Sequence, residues 1–355
     1  MKILMISIDN SILDPKSTSA KRMKLYGGIC DQLHIVVVGG NSTDVNIKIG
    51  DNVIVYPTNS KNKISAIFDA IAISKEIIAE NDKCVITSQD PFETGLIAFW
   101  LSKKYNIKFE VQLHGDFYGG NYWKKEKAIN WFRFYLGRFI IKKASAVRSV
   151  SHRIKESIRL LNNNIYIAPI YSDLPHPAKS QTSHEGVNLL SIGNLVPVKN
   201  HELLINVFKS LKKQHKDLGL TIVGNGILKE KLDTEDVNFL GYQEDLSSYY
   251  QSADIFIHPS KYEGWGRVVV EAASYGLPII MTDVGLAGEV IKDGESGLII
   301  PVDDREELYN AILKLIEDEN LRKKLGHNAK KVAHTLPVKK EILDLIKRHW
   351  LELVV

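Results

Sequence analysis

Cysteine is nearly missing from this chain, with Cys30 and Cys84 the only two in 355 residues. Two thiols cannot build a disulfide framework, and no Cys or His cluster has metal-ligand spacing, so a reducing, cytoplasmic setting is expected. Long hydrophobic runs are also lacking. The opening MKILMISIDN loses its apolar character at Asp9, too soon for a signal-peptide core, and reads as a first buried strand. Nothing approaches the length of a membrane span. No Asp-x-Asp pair occurs, so a carboxylate-held divalent cation is not expected. No Gly-x-Gly-x-x-Gly follows the first strand, which argues against a nicotinamide oxidoreductase. Repeats and low-complexity tracts are absent too.

What is there is the composition of a soluble globular protein, 44% hydrophobic and 25% charged. The length suits two domains better than one core. Short apolar runs alternate with helical patterns, the signature of doubly wound parallel sheets. In the first half the runs predict strands near 2–8, 34–38, 53–56, 84–87, 108–113, 146–150 and 165–168, with helices such as 64–80 and 93–105 between them. The segment SDLPHPAKSQTSHEG, 172–186, has two prolines and no apolar period, and reads as an interdomain linker. The alternation then restarts, with strands near 188–192, 219–223, 237–240, 254–258, 279–282 and 298–300. We therefore expect an α/β chain of two Rossmann-like domains, 1–175 and 176–337, with a last helix from about 338 returning to the first.

The segment ADIFIHPSKYEGWGRVVVEAASYGLPII, 253–280, holds the most chemistry. Its order is buried strand, tight loop at Gly264-Trp265-Gly266, helix Arg267–Tyr275, and Gly276 as its stop. Strand, glycine loop and helix start aim backbone N–H groups at one point, which suits a phosphate. Glu263 sits in the loop, and Glu271 follows among apolar neighbours. Each could pair with a Lys or Arg, or take its hydrogen bonds from the hydroxyls of a ligand. A second segment, LLSIGNLVPVKNHELLINVFKSL, 189–211, repeats strand, glycine turn and helix, with Lys199 ahead of the helix as a point charge for a diphosphate. Gly224-Asn225-Gly226 is a third, weaker glycine turn.

EGWGRVVVEAASYGLPII followed by TDVG resembles the Glu-x7-Glu signature of retaining GT-B glycosyltransferases of family four, the group with glycogen synthases and lipopolysaccharide and mannosyl transferases. The resemblance implies two Rossmann-like doubly wound parallel-sheet domains facing each other across a cleft. It also implies transfer of a hexosyl unit from a UDP-, GDP- or ADP-sugar to a glycan or lipid-linked acceptor in cell-surface polysaccharide or glycoconjugate synthesis. Glu271 would bind ribose and Glu263 the donor sugar, with backbone amides around Gly264, Trp265, Gly266 and Val268 on sugar and phosphate. The stretch from Gly193 through Lys199 resembles the family's phosphate-binding turn, although Asn194 stands where that family usually has Arg. Arg267 is a candidate to replace the missing cation.

Further along, the turn at Tyr242 is placed near the nucleobase. His114, in FEVQLHGDFYGG, resembles the strand-end histidine beside the transferred sugar. The loop Ser7–Arg22 corresponds to the acceptor-side loop but lacks its Gly-Gly. No metal and no other cofactor is implied. The competing readings are a catalytically inactive nucleotide-sugar-binding scaffold and a GT-B epimerase or phosphorylase.

Net charge is +4, yet residues 122–159 alone hold eleven Lys or Arg against two Glu. Seven aromatics lie among them: Tyr122, Trp123, Trp131, Phe132, Phe134, Tyr135 and Phe139. A core helix with snorkelling cations would read this way. So would a peripheral face for an anionic membrane at the inner side of the plasma membrane. Nucleic acid is not an expected partner.

Overall fold

The computed structural model describes residues 1–79, 84–172, 186–232 and 234–354. The chain divides into two compact units, Met1–Pro169 with Val338–Val355, and Ile170–Pro337. Apart from its two end residues, the linker expected over 172–186 lies outside the described residues.

Unit 1 is built on an eight-stranded sheet. Its strands are β1 Lys2–Ser7, β2 Gln32–Val37, β3 Ile47–Gly50, β4 Val53–Pro57, β5 Cys84–Ser88, β6 Phe109–Leu113, β7 Ala146–Ser149 and β8 Ile165–Ile167. They lie in the order β3-β4-β2-β1-β5-β6-β7-β8. Helices cover a parallel sheet on both faces, so its strands are buried along most of their length. Residues 3–7 of β1 and all of β6 are buried accordingly. The exception is β3, which pairs antiparallel with β4 at the sheet edge. Four residues, IKIG, with one neighbouring strand make no run that stands out in the sequence.

Helix starts follow local chemistry. Ser17 accepts from the Ala20 amide at 3.0 Å and Ser151 from the Ile154 amide at 3.2 Å, each satisfying a helix N–H that has no partner within the helix. The final helix, Lys339–Val354, belongs to unit 1. Its Trp350 is fully buried and donates to Glu110 Oε1 at 3.3 Å, while His349 stacks on Tyr166 at 3.7 Å.

Unit 2 carries β9 Asn188–Ile192, β10 Gly219–Val223, β11 Asn238–Leu240, β12 Ile255–His258, β13 Ile279–Thr282 and β14 Gly297–Ile300. The sheet is parallel, in the order β11-β10-β9-β12-β13-β14. The chain winds outward from β9 to β11, then returns to lay β12 beside β9 and winds the other way. Loops leaving β9 and β12 therefore diverge and open a crevice at their carboxyl ends, where ligands of such sheets bind. The helix His201–Lys212 buries Leu204, Ile205, Val207, Phe208 and Leu211 against the sheet, a one-sided apolar stripe at helical spacing.

Candidate active site at the switch between two strands

The two chemistry-bearing segments are the ones that leave β9 and β12. After β9 the chain turns at Gly193, whose N–H donates to Val223 O at 3.0 Å. The stem of Lys199 crosses this turn: a Cβ on Gly193 would lie 3.6 Å from the lysine's Cγ and Cδ. Lys199 ends a short 3₁₀ turn, and Asn200, with φ of 56°, redirects the chain into the helix His201–Lys212. Its ammonium reaches the carboxylate of Glu263, in the loop after β12.

Glu263 has three partners. Lys199 Nζ and His258 Nε2, the latter at 3.2 Å, meet Oε2, and the Gly264 amide donates to Oε1 at 3.3 Å. Burial pushes this carboxyl up, but the His258 hydrogen bond and the Lys199 charge outweigh it and hold Glu263 at about 2. It is therefore an anion throughout the working range of pH. His258 is shifted down as well, by burial first and with the Lys199 charge adding, while its hydrogen bond to Glu263 opposes. A neutral ring facing a carboxylate must present Nε2–H to it.

The loop is braced from behind. Gly285, with φ of 58°, lies so close that a Cβ there would stand 2.8 Å from Trp265 O and 3.1 Å from Glu263 Cβ. Leu286 N donates to Trp265 O at 3.2 Å. Gly266, with φ of 96°, turns the loop into the helix Arg267–Ser274. The indole of Trp265 is buried, and its Nε1 has no hydrogen-bond partner among the described residues.

Glu271 lies on that helix. Arg267 Nε meets its Oε1 at 3.0 Å, and the Tyr250 hydroxyl donates to its Oε2 at 3.0 Å. Burial raises this carboxyl, with Arg267 and Tyr250 opposing. The structure thus brings together Gly193, Lys199, Glu263 and the loop Gly264–Gly266 with the helix start that follows it, Glu271 being held one turn further on. Asn194 is exposed on its turn, and Arg267 is engaged with Glu271. Tyr242 is exposed beyond β11, and His114 belongs to unit 1, at the end of β6.

Two participants escaped sequence reading. His258 carries a weak signal, as a polar residue closing a buried strand five positions before an acid. Tyr250 carries none, because it arrives from a separate short helix. The Gly224-Asn225-Gly226 turn also gains a packing role. A Cβ on Gly224 would meet Gly193 O at 2.1 Å, and one on Gly226 would meet Leu195 O at 2.3 Å. Both glycines let the β10 loop lie flat on the β9 turn. Among the described residues no group of three His, Cys, Asp or Glu side chains is gathered as a metal site would require.

Two α/β units, each on a doubly wound and mainly parallel sheet, are the architecture of the GT-B fold class. Comparison with solved structures supports the fold. A sucrose-phosphate synthase from Thermosynechococcus elongatus superposes with a TM-score of 0.84 at 18% identity, covering 99% of each chain. Anabaena HepE in complex with UDP and glucose gives 0.78 at 17% identity, covering 99% of this chain and all of that one. Residues 175–332 match the family described as "Glycosyl transferases group 1". An uncharacterized glycosyltransferase of Methanocaldococcus jannaschii is 27% identical over 83% of this chain and 84% of its own. A Campylobacter jejuni N-acetylgalactosamine-N,N'-diacetylbacillosaminyl-diphospho-undecaprenol 4-alpha-N-acetylgalactosaminyltransferase is 32% identical over 45% of each chain. Together the matches support glycosyltransferase activity.

Proposed function

We propose that the chain is a retaining, metal-independent glycosyltransferase that moves a hexosyl unit from a nucleoside diphosphate-sugar to a glycan or lipid-linked acceptor. The observation that carries this reading is the convergence of Lys199, Glu263 and the Gly264–Gly266 loop with its helix start at the β9/β12 switch point. Glu271 takes the ribose hydroxyls, Glu263 the donor sugar, and Lys199 with the loop amides the diphosphate. His114 is assigned a hydroxyl contact with the sugar. UDP is the preferred nucleotide of the UDP, GDP and ADP set, since HepE, which shares the fold, binds it. The acceptor class follows the undecaprenol-linked substrate in the Campylobacter relative's name. In the transfer itself the bond from sugar C1 to phosphate breaks, and the acceptor oxygen bonds C1 on the same face. The acceptor's proton passes to the departing phosphate.

A thermal-shift panel of UDP, GDP, ADP and their common sugars tests the donor. A ligand at a hundredfold its Kd stabilises by about 2.7 kcal/mol, which is readily measured. Slow donor hydrolysis without acceptor is expected; binding without hydrolysis or transfer would leave only an inactive scaffold.

Lys199→Ala is expected to weaken UDP far more than UMP, because a charge-assisted contact to the distal phosphate is worth about 1.5–3 kcal/mol. Equal losses by titration calorimetry would move Lys199 off that phosphate. Turnover is expected to persist in excess EDTA, since the lysine and the amides neutralise the diphosphate and the sequence has no Asp-x-Asp. Activity lost to chelator and restored by Mg²⁺ or Mn²⁺ contradicts this.

We also propose that unit 1 rests on an anionic membrane through residues 122–159, at the cytoplasmic face. The helix Ala128–Lys143 turns Asn130, Gly137, Ile140 and Ile141 inward. It leaves Trp131 and Phe132 each 59% exposed, with Ile129, Tyr135 and Phe139 also exposed. A core helix would bury those rings. On the neighbouring helix Glu93–Tyr105, Trp100 is also exposed, with Lys75 and Lys104 each 5.1 Å from its ring.

A further inference from the structure

His114 stands on a directed chain of buried hydrogen bonds. Gln112 and His114 lie two residues apart at the end of β6, so their side chains share one face of the sheet. His114 Nε2 is 3.0 Å from Gln112 Oε1. Arg148 is the register partner of Gln112 on β7, and its Nη2 donates to the same Oε1 at 2.5 Å.

A guanidinium has donors only, so the Gln112 atom it meets must be the carbonyl oxygen. The other end of the chain agrees. Gln112 Nε2 is 2.7 Å from Thr87 Oγ1, and Thr87 gives its proton to Glu110 Oε1 at 2.8 Å. With that proton committed, Oγ1 can only accept from the amide. Glu110 is fixed as acceptor by the Tyr166 hydroxyl at 2.5 Å and by Trp350 Nε1. Turning the Gln112 amide over would set NH₂ against guanidinium, so the oxygen is locked, and an oxygen facing Nε2 requires a proton on Nε2.

The ring is also kept from a second proton. Burial pushes His114 well below its usual value, and the charges of Arg148 and of Arg22, on the helix Thr18–Gly27, push the same way. Arg148 is itself fully buried, 5.3 Å from the Tyr26 ring, with Nε and Nη1 unpartnered among the described residues. An under-satisfied buried cation is costly, and setting the state of His114 gives it a role.

We propose that Gln112 and Arg148 are positioning residues that fix His114 as the neutral Nε2–H tautomer, so that Nδ1 accepts a hydrogen bond from a substrate hydroxyl. His114 is then neither a general acid nor a cation for phosphate. The hydroxyl contact rests on the function proposed above; the tautomer does not.

The full chain labelled with ¹⁵N-histidine tests this by long-range ¹H–¹⁵N NMR, His114 being assigned among the eleven histidines by its loss in His114→Gln. The expected wild-type ring is protonated at Nε2, bare at Nδ1 and unchanged from pH 5 to 8. An Nδ1–H ring, or an imidazolium in that range, overturns the proposal. Arg148→Met removes one of the two contacts that orient the amide and leaves the Thr87 contact, so a minor Nδ1–H population is expected to appear. Gln112→Leu, which removes the partner outright, gives a second variant should the first not fold. A ring unchanged in every folded variant overturns the positioning role.

Turnover is expected to fall about tenfold in Arg148→Met and in His114→Ala, with no further loss in the double variant if the residues act as one unit. UDP affinity should hold, because the proposed nucleotide site lies in unit 2. Full turnover in His114→Ala removes the hydroxyl contact and the functional half of the proposal. Loss of UDP binding in wild type would instead defeat the donor reading.

Discussion

Glu271→Ala is expected to weaken UDP binding by one to two powers of ten, while Glu263→Ala leaves UDP affinity intact and cuts turnover. A carboxylate accepting from ribose makes a charge-assisted hydrogen bond worth about 1.5–3 kcal/mol, and ribose is present in free nucleotide as well as in donor. Glu271 is prepared for that by Arg267 and Tyr250, which hold both oxygens in place and leave further lone pairs for a ligand. Glu271→Gln keeps an acceptor for Tyr250 but loses the charge, so it separates the charge from the scaffold.

Glu263 stands differently. Its carboxylate pairs with Lys199, the cation assigned to the diphosphate. Removing Glu263 frees that ammonium, so UDP affinity should hold or rise slightly. Loss of a contact to the reacting sugar should lower turnover by about 10²–10³, the scale of removing one group that stabilises developing charge. His258 keeps Ser260 Oγ as a neighbour at 3.1 Å in that variant, which limits collateral damage. Calorimetric titration with UDP and steady-state donor hydrolysis read the two effects. If both variants lose UDP equally, the division of roles is wrong.

Most strands of both sheets were legible because parallel strands buried on two faces are mainly apolar, with β6 and β7 carrying the buried exceptions Glu110, Gln112 and Arg148. The antiparallel β3 was not, since a short edge strand needs only half of that pattern. The two carboxylates were legible from their spacing around a glycine loop. Their partners were legible only in part: Arg267 lies one turn before Glu271 on the same helix, but Lys199 lies 64 residues before Glu263 in the chain, and only the reversal of winding between β9 and β12 brings them together. Tyr250 reaches Glu271 through helix packing that leaves no local motif.

Gly224 and Gly226 show the converse case. Their spacing marked only a weak glycine turn, whereas the fold gives them a packing role, since a side chain on either would collide with the β9 turn. Residues 122–159 were ambiguous for a further reason. Ile140 and Ile141 form one face of the helix Ala128–Lys143 and Trp131, Phe132 and Tyr135 another, so composition alone could not say which side was core.

That distinction makes the proposed membrane contact of unit 1 directly testable. The protein is expected to sediment with vesicles containing anionic lipid and to ignore neutral ones. Each cation near such a surface contributes about 1 kcal/mol, so Lys124, Lys125 and Lys127 changed together to Ser should weaken partitioning by about two powers of ten. Binding should also fall as salt rises, because the screening length shortens to about 8 Å at physiological ionic strength. Trp131→Ser with Phe132→Ser supplies the apolar half of the test. Were these rings core, their loss would cost about 3–5 kcal/mol each in stability. Because both are more than half exposed, the melting temperature should barely move while vesicle binding drops. Donor hydrolysis should be spared in both variants, since the proposed donor site lies in unit 2. Wild-type protein that stays in the supernatant with anionic vesicles at low salt removes the membrane from the proposal and makes the acceptor a soluble glycan.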